Sequence, residues 1–342
     1  MRIRWEPLEL KVSHVLNIAH EGFSGDVFHN VLVRLEHEGT TGLGEAAPFF
    51  IYGENRQTVL AALEILAPVV ERCENPWRAE ALMDELDQAL AGHYSVKAAI
   101  DMALLDLQGK LCGQPVYRIL GLDPAGAPLS TFTLYLNSLE AVRGQLHRVA
   151  GWPLLKIKLG GDNDLEVIEL VRSEAPDAVI RVDANTAWDA KQALGIIERL
   201  DDFGVDFVEQ PLPASDVEGQ RWLYERSPLP LIADESCARL TDVPRLAGLF
   251  DGINIKLTKC GGLRHALKMI HCARAHGLKI MLGCMVESAL SLTAAGQISP
   301  LVDYADLDGN TLLEKDPFSG MQFDKCRLIL PEGPGLGVQP TQ

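Results

Sequence analysis

The sequence lacks a long hydrophobic run, and no apolar stretch in it approaches the roughly 20 residues that a membrane-spanning helix needs. The segment from Met1 to Glu6 has none of the apolar core found in secretory signal peptides. The seven cysteines are scattered, odd in number and without a CxxC pair, so reduced thiols explain them better than a zinc site. We therefore expect a cytoplasmic protein without a membrane partner.

Positive charge is also in short supply. The chain has 31 Lys and Arg against 47 Asp and Glu, which gives a formal net charge of −16 at pH 7. Nucleic acids and anionic membranes are bound through Lys and Arg, so neither is an expected partner. The expected partner is a small-molecule substrate, and a homo-oligomer is compatible with the composition.

The length and the pattern of the first third predict a separate N-terminal domain. A chain of 342 residues exceeds one ordinary core and suits a barrel with a smaller domain. Residues 1 to about 45 alternate as strands do, and helical periodicity follows at Gln57 to Ala67, Pro76 to Ala89 and Val96 to Leu111. This order predicts an α+β domain over residues 1–125, ending at the linker Pro124 to Pro128.

From Ser130 onward the pattern alternates between strand and helix. We predict strands near 131–136, 154–159, 178–183, 205–209, 231–234, 252–256, 278–283 and 302–305, and helices that include 164–173, 187–200, 243–249 and 262–275. Eight strands with seven connections predict an α/β fold, a TIM-like (β/α)₇β barrel over residues 126–315. Residues 316–342 are rich in Gly and Pro and too few to fold alone, so we expect them to pack back on the N-terminal domain.

Five consecutive predicted strands each end in a charged residue, at intervals of about 25 residues. A strand that is buried on both faces reads as a continuous apolar run, so a charge at its C-terminal end is not core filling. In a (β/α)₈ barrel that end is the catalytic face. The closing residues in chain order are Lys158 (with Lys156), Asp183, Glu209, Asp234 and Lys256.

The three acids predict a metal site. Asp183, Glu209 and Asp234 end consecutive strands, so a barrel would bring them together at one rim. Neighbouring carboxylates raise one another's pKa unless a cation neutralises them, and Mg²⁺ prefers oxygen ligands with open positions for water or substrate. We predict one Mg²⁺ per subunit, with Asn185 beside the ligands; structural ion pairing is the alternative for any single acid.

The lysines predict proton transfer. Lys156 and Lys158 lie two apart on a strand and point to the same side, where a second ammonium lowers the pKa of its neighbour toward that of a base. Lys256 lies four strands further on, across the barrel mouth. Lysines on both sides of a substrate would remove a proton from one face and return one to the other. Rim lysines with solvated ends are the alternative, and Lys259 is expected at the surface or at a helix start.

These residues carry a family resemblance. Together with Val208 to Pro211, Ala233 to Ser236, Gly261-Gly262 and Ala98 to Gly109, they resemble the muconate-lactonizing-enzyme subgroup of the enolase superfamily over nearly the whole chain. The resemblance implies a carboxylate substrate whose α-proton is abstracted, with Mg²⁺ on Asp183, Glu209 and Asp234 stabilising the enolate. It implies Lys158 and Lys256 as acid and base, Lys156 next to the substrate carboxylate, and Glu235 outside the metal ligands, hydrogen-bonded to a lysine.

Two further segments resemble the dipeptide epimerases of this subgroup. In those enzymes a DxD pair such as Asp306 and Asp308 binds the substrate ammonium, and the segment Gly283 to Ser288, with Cys284 and Met285 against the substrate, also looks like theirs. The resemblance implies an isomerase that inverts the α-carbon of the C-terminal residue by 1,1-proton transfer. The alternatives are an o-succinylbenzoate synthase, a muconate cycloisomerase or an N-acylamino acid racemase; for the two aspartates alone, a generic acidic loop is the alternative.

Two loops are predicted to set specificity. Epimerases of Ala-Glu carry an arginine near Asn17 to Gly22, where this chain has His20 and Glu21. Glu21, Asp26 and Glu54 would favour a basic or polar substrate side chain, or they are solvated loop charges. The aromatic loop Pro48 to Gly53 either closes over the site or packs between the domains.

Overall fold

The protein is described by a computed structural model that covers residues 1–17, 24–135 and 138–341. It begins with an antiparallel sheet of β1 (Arg2–Asn17), β2 (Ser24–His37) and β3 (Thr40–Ala46). Strands β2 and β3 are joined by a tight hairpin at Glu38 and Gly39, whose φ angles are 48° and 79°. Two consecutive residues with positive φ match the right-handed twist of the paired strands.

Helices cover this sheet, as the sequence predicts. They are α1 (Arg56–Arg72), α2 (Ala79–Ala89) and α3 (Tyr94–Cys112), and the short helix α4 (Val116–Ile119) follows. Helix α1 begins where the Asn55 side chain accepts a hydrogen bond from the backbone N–H of Thr58, at 3.0 Å. Helix α3 lies close against β3, because two glycines of that strand, Gly42 and Gly44, leave room for its backbone.

Eight parallel strands form the barrel, in the order in which they occur in the chain. They are β4 (Phe132–Leu134), β5 (Leu154–Lys158), β6 (Val179–Asp183), β7 (Val205–Glu209), β8 (Leu231–Ala233), β9 (Gly252–Ile255), β10 (Lys279–Leu282) and β11 (Tyr304–Ala305). The barrel is closed by a parallel bridge between Ser130 and Ala305, next to which the Thr131 N–H donates to the Ala305 carbonyl at 3.1 Å. The predicted eight-stranded barrel is confirmed.

At least one helix connects each barrel strand to the next. The connecting helices are α5 (Leu139–Arg148), α6 (Asp164–Glu174), α7 (Ala190–Asp202), α8 (Val217–Tyr224), α9 (Val243–Leu246), α10 (Leu257–Cys260), α11 (Leu263–Ala275) and α12 (Ala289–Gly296). Helix α7 begins later than predicted because the Asp189 side chain caps it. Helix α9 ends earlier because Ala247 turns to ψ 122°. In the described part of the chain no α-helix follows β11, which confirms the (β/α)₇β form.

The C-terminal tail forms two short antiparallel strand pairs and contacts the N-terminal part. Strand β12 (Phe318–Ser319) pairs with β15 (Gln339–Pro340), and β13 (Gln322–Asp324) pairs with β14 (Arg327–Ile329). The Leu336 N–H donates to Asp106 of α3 at 2.8 Å. This contact supports the predicted return of the tail, while the limits of the domains stay a prediction.

No helix within the described residues combines the length and the apolar character needed to cross a bilayer.

The contact between β3 and α3 gives a stability prediction. A Cβ added at Gly44 would lie 1.9 Å from the Ala99 carbonyl oxygen, so Gly44→Ala forces two backbones apart. We expect a loss of about 1–3 kcal/mol in the free energy of unfolding, measured by urea denaturation. The matched control is Gly144→Ala in α5, where a Cβ meets nothing within 4 Å and helix propensity favours alanine. Equal midpoints for the two variants would contradict the close contact.

Candidate active site

The strand register brings the predicted rim residues to one edge of the barrel. Lys158 lies opposite Asp183, Asp183 lies opposite Glu209, and Asp234 follows directly after β8. The three carboxylates are almost completely buried, and one oxygen from each lies within 4.8 Å of the others. Close approach of three buried acids is costly without compensating positive charge.

The pKa values of these acids reflect that crowding. Burial and the Asp183 carboxylate raise the pKa of Glu209 to about 7, against the opposing effect of Lys156. Burial also acts to raise the pKa of Asp183, but Lys156 and Lys158 outweigh it and hold that pKa at about 2. A divalent cation would relieve the repulsion on Glu209, and three buried carboxylate oxygens suit a hard ion such as Mg²⁺. The residues present therefore fit the predicted metal.

Two lysines lie at opposite ends of this acid triad. The Lys158 Nζ lies 2.6 Å from Asp183 Oδ2, and the Lys256 Nζ lies 2.8 Å from Asp234 Oδ2. Asp183 ends β6, Glu209 ends β7 and Asp234 follows β8, so the strand order places Asp183 and Asp234 on opposite sides of Glu209. A molecule bound on the acids would have an amine on either side.

Lys156 lies at the centre of the network. Its Nζ lies 2.7 Å from both Glu209 Oε2 and Asp306 Oδ2, and 3.0 Å from Asp183 Oδ2. Burial lowers the pKa of Lys156, but these carboxylates raise it well above the ordinary value. The prediction that the paired lysines lower one another's pKa is therefore wrong for Lys156, because three acids lie closer to it than sequence spacing could indicate.

Asn185 and Glu235 lie beside the three acids, with hydrogen-bond partners that differ in part from those expected. The Asn185 backbone N–H, not its side chain, donates to Asp183 Oδ1 at 3.0 Å. Its side-chain amide donates to Glu235 Oε1 at 3.2 Å, and in the described residues Glu235 has no hydrogen bond to a lysine. Burial and the Asp234 charge raise the pKa of Glu235 to about 8.

The two aspartates after β11 face the same cavity. Asp306 accepts hydrogen bonds from Lys156 and from the hydroxyls of Thr131 and Thr133, and Asp308 accepts the Thr133 backbone N–H at 2.6 Å. Burial and the charge of Asp306 raise the pKa of Asp308 to about 7. The cavity is lined by the following residues of the predicted set: Lys156, Lys158, Asn185, Asp234, Glu235, Lys256, Cys284, Met285, Asp306 and Asp308.

Some of the residues predicted to set specificity line the cavity, and others do not. Phe49, Ile51 and Tyr52 of the aromatic loop line the cavity, so that loop forms one of its walls. Glu54 does not line it; its carboxylate accepts the backbone N–H groups of Tyr94 and Ser95, at 2.7 and 3.3 Å, and caps the start of α3. The hypothesis that Glu54 favours a basic substrate is therefore wrong.

Of the other charges predicted to set specificity, Asp26 belongs to the described part of the chain. Asp26 is exposed and is not among the lining residues, which favours the solvated alternative for it. His20 and Glu21 lie outside the described residues.

Three polar residues contact the acids, and the sequence did not assign these contacts to them. The Asn254 amide donates to Glu209 Oε1 at 2.6 Å, and the Gln210 side-chain oxygen accepts the Asp234 N–H at 2.9 Å. Lys259 lies in the short helix α10, as one of its two expected positions requires, but the other, a surface position, is wrong, because it is 3% exposed and ion-paired with Asp234. The contact of Asn254 could have been predicted, since this residue interrupts an apolar strand two positions before Lys256 and points to the same side.

The fold and the site together define a class: a capped barrel enzyme of the enolase superfamily, with buried acids at the catalytic rim. Residues 141–342 match the model of the enolase C-terminal domain-like family, and residues 17–121 match that of the mandelate racemase / muconate lactonizing enzyme N-terminal domain. The chain belongs to the mandelate racemase / muconate lactonizing enzyme family of this superfamily.

Several individual proteins that are similar to this chain are named as epimerases. The chain is 42% identical to the L-Ala-D/L-Glu epimerase of Bacteroides thetaiotaomicron over 99% of this chain and 88% of that protein. It is 36% identical to the L-Ala-D/L-amino acid epimerase of Maribacter sp., over the full length of both. Among solved structures, the dipeptide epimerase of Enterococcus faecalis with Mg and L-Leu-L-Tyr superposes with a TM-score of 0.92, at 31% identity over 98% of each chain.

Proposed function

We propose that the protein is an isomerase, a Mg²⁺-dependent dipeptide epimerase that inverts the α-carbon of the C-terminal residue by 1,1-proton transfer. One observation carries the proposal: Lys158 and Lys256 donate hydrogen bonds to the two outer acids of one buried triad. The same cavity is also lined by the buried pair Asp306 and Asp308. The relatives and the solved neighbour are named as epimerases of dipeptides, which supports the same reaction.

Asp183, Glu209 and Asp234 would hold the Mg²⁺. When bound, the ion offsets the negative charge that gathers on the substrate carboxylate as the α-proton leaves. Lys156 lines the cavity beside these acids, and its three N–H donors face Asp183, Glu209 and Asp306. Its positive charge, more than a free N–H donor, would hold the substrate carboxylate next to it. The substrate's carboxylate end is therefore directed to the centre of the barrel mouth.

Lys158 and Lys256 would carry out the proton transfers. One of them, with a neutral Nζ, takes the α-proton, and the electrons of the broken C–H bond pass into the enolate. The other, as an ammonium, gives its proton to the opposite face of the same carbon and forms the new C–H bond. Because each amine serves one face, the same pair works in both directions with exchanged roles.

Asp306 and Asp308 would bind the N-terminal ammonium of the dipeptide. Both carboxylates are buried in the cavity wall, after the end of β11, the strand next to β4. Asp306 already pairs with Lys156, whereas Asp308 has no ion pair within the described residues. A substrate cation would stabilise the Asp308 carboxylate and bring its pKa down from about 7. A free amino group on the substrate is thus expected to strengthen binding.

The test is incubation of a dipeptide library with the protein and Mg²⁺ in D₂O. We expect some L,L-dipeptides to gain one deuteron and to yield a second diastereomer, seen by mass spectrometry after chiral separation. The matched substrates are the same dipeptides with an acetylated N-terminus, which should show at least a tenfold higher KM because they cannot pair with the two aspartates. Dehydration or cyclisation without exchange at the α-carbon would instead favour another reaction of the subgroup.

A further inference from the structure

Lys259 is a buried cation outside the proposed acid–base pair. It lies on the short helix α10, three residues after Lys256, and its side chain is 1% exposed. All three of its N–H donors have acceptors: Asp234 Oδ1 at 2.5 Å, the Asp234 carbonyl at 2.8 Å and the Asn254 carbonyl at 3.0 Å. A lysine so completely bonded to protein groups is fixed in place and does not reach into the cavity.

The first consequence concerns the Asp234 carboxylate. Lys259 bonds one of its oxygens and Lys256 bonds the other, so rotation of the carboxylate is restrained from both ends. Strand β8 ends at Ala233, and Asp234 lies beyond the regular ladder. Its N–H donates to the Gln210 side chain, and its carbonyl accepts from Lys259 and from the Cys237 N–H. The Lys259 ammonium therefore contacts both the side chain and the backbone of this acid.

The second consequence concerns Glu209. The Asn254 carbonyl accepts from Lys259, and the Asn254 side-chain amide donates to Glu209 Oε1 at 2.6 Å. Lys259 is therefore connected directly to one acid of the triad and through one residue to another. Groups that hold metal ligands in this way commonly change metal affinity 10- to 100-fold when they are removed.

We infer that Lys259 is a positioning residue of the metal site, which orients Asp234 directly and Glu209 through Asn254 for binding of a divalent cation. The inference rests on the proposed function only in taking these acids as the Mg²⁺ ligands. A positioning role and the charge of Lys259 alone predict opposite changes in cation affinity. Removing a positive charge next to an acid triad should tighten cation binding, whereas removing an orienting group should weaken it.

The experiment measures Mg²⁺ binding without substrate, by calorimetry of the chelated and dialysed full-length protein, with Mn²⁺ detected by electron paramagnetic resonance as a second readout. For Lys259→Met, which keeps the length of the side chain and removes the ammonium, we expect a Kd about 10- to 100-fold above that of the unchanged protein. The matched control is Lys268→Met on α11, where a half-exposed lysine pairs with Glu80 at the surface. It should leave the Kd unchanged.

The outcomes separate the inference from the proposed function. An unchanged or lower Kd in folded Lys259→Met, checked by circular dichroism, would overturn the positioning role while the Mg²⁺ site stands. If that variant does not fold, Lys259→Gln, whose shorter amide has two N–H donors and cannot keep all three hydrogen bonds, decides by the same measurement. A Kd raised several-fold supports the role, and an unchanged Kd overturns it. Failure of the unchanged protein to bind Mg²⁺ or Mn²⁺ would contradict the metal site itself.

Discussion

Replacement of either Lys158 or Lys256 by alanine should reduce epimerisation by roughly 10²- to 10⁴-fold, the usual range for loss of a positioned acid or base. The two variants should differ in isotope exchange. Each keeps one amine, so in D₂O each should still exchange the α-proton of the diastereomer whose proton faces the remaining lysine. Exchange from the other diastereomer should be lost, and the two variants should show opposite preferences.

The measurement is the rate of deuterium incorporation from each purified diastereomer, compared with the rate of interconversion. Lys279→Ala is the matched control, because Lys279 is an exposed lysine at the opposite, N-terminal end of strand β10. It should exchange and epimerise like the unchanged protein. Normal exchange from both diastereomers in Lys158→Ala and in Lys256→Ala would show that the two amines are not the acid and base.

Removal of divalent cations should abolish turnover, and Mg²⁺ should restore it. The physical reason is that the acid triad is buried, and within the described residues the positive charges that contact it come from lysines. An ion bound by the folded state alone also stabilises that state, by about 2.7 kcal/mol at a concentration 100 times its Kd. We therefore expect the melting temperature of the chelated protein to rise as Mg²⁺ is added.

Glu209→Gln tests whether the triad is the origin of both effects. The substitution keeps the size of the side chain and removes one negative charge from among the three acids, so it should abolish the Mg²⁺-dependent rise in melting temperature along with turnover. Glu218→Gln, at an exposed position in the first turn of α8, should keep both. Full turnover after thorough chelation, or an unchanged Mg²⁺ response in Glu209→Gln, would exclude the triad as the metal site.

The barrel could be predicted from sequence because its strands are short apolar runs that end in charge. Burial on both faces makes such runs continuous, and the C-terminal ends of parallel strands share one edge, so Asp183 and Glu209 could be placed together before any coordinates. The register confirms this directly, with those two residues opposite each other. The family comparison agrees over both parts of the chain.

The partners of individual side chains could not be predicted in the same way. Glu54 looks like a loop charge in sequence, yet it caps a helix that begins 40 residues later. Lys259 follows a strand end and resembles a solvated helix residue, yet it is enclosed against Asp234. In both cases the deciding contact joins segments far apart in the chain, and local pattern carries no information about such contacts.

The sequence by itself determined the barrel, the order of acids and lysines along its rim, and the kind of ion that three carboxylates at that rim would suit, because strand burial and strand direction are local properties. Only the tertiary structure decided which cation meets which acid. Lys156 joins Asp306 to Glu209, and Lys259 holds Asp234 together with Lys256. Charges separated by many residues act on one another through space, and their distances exist only once the chain has closed into a barrel.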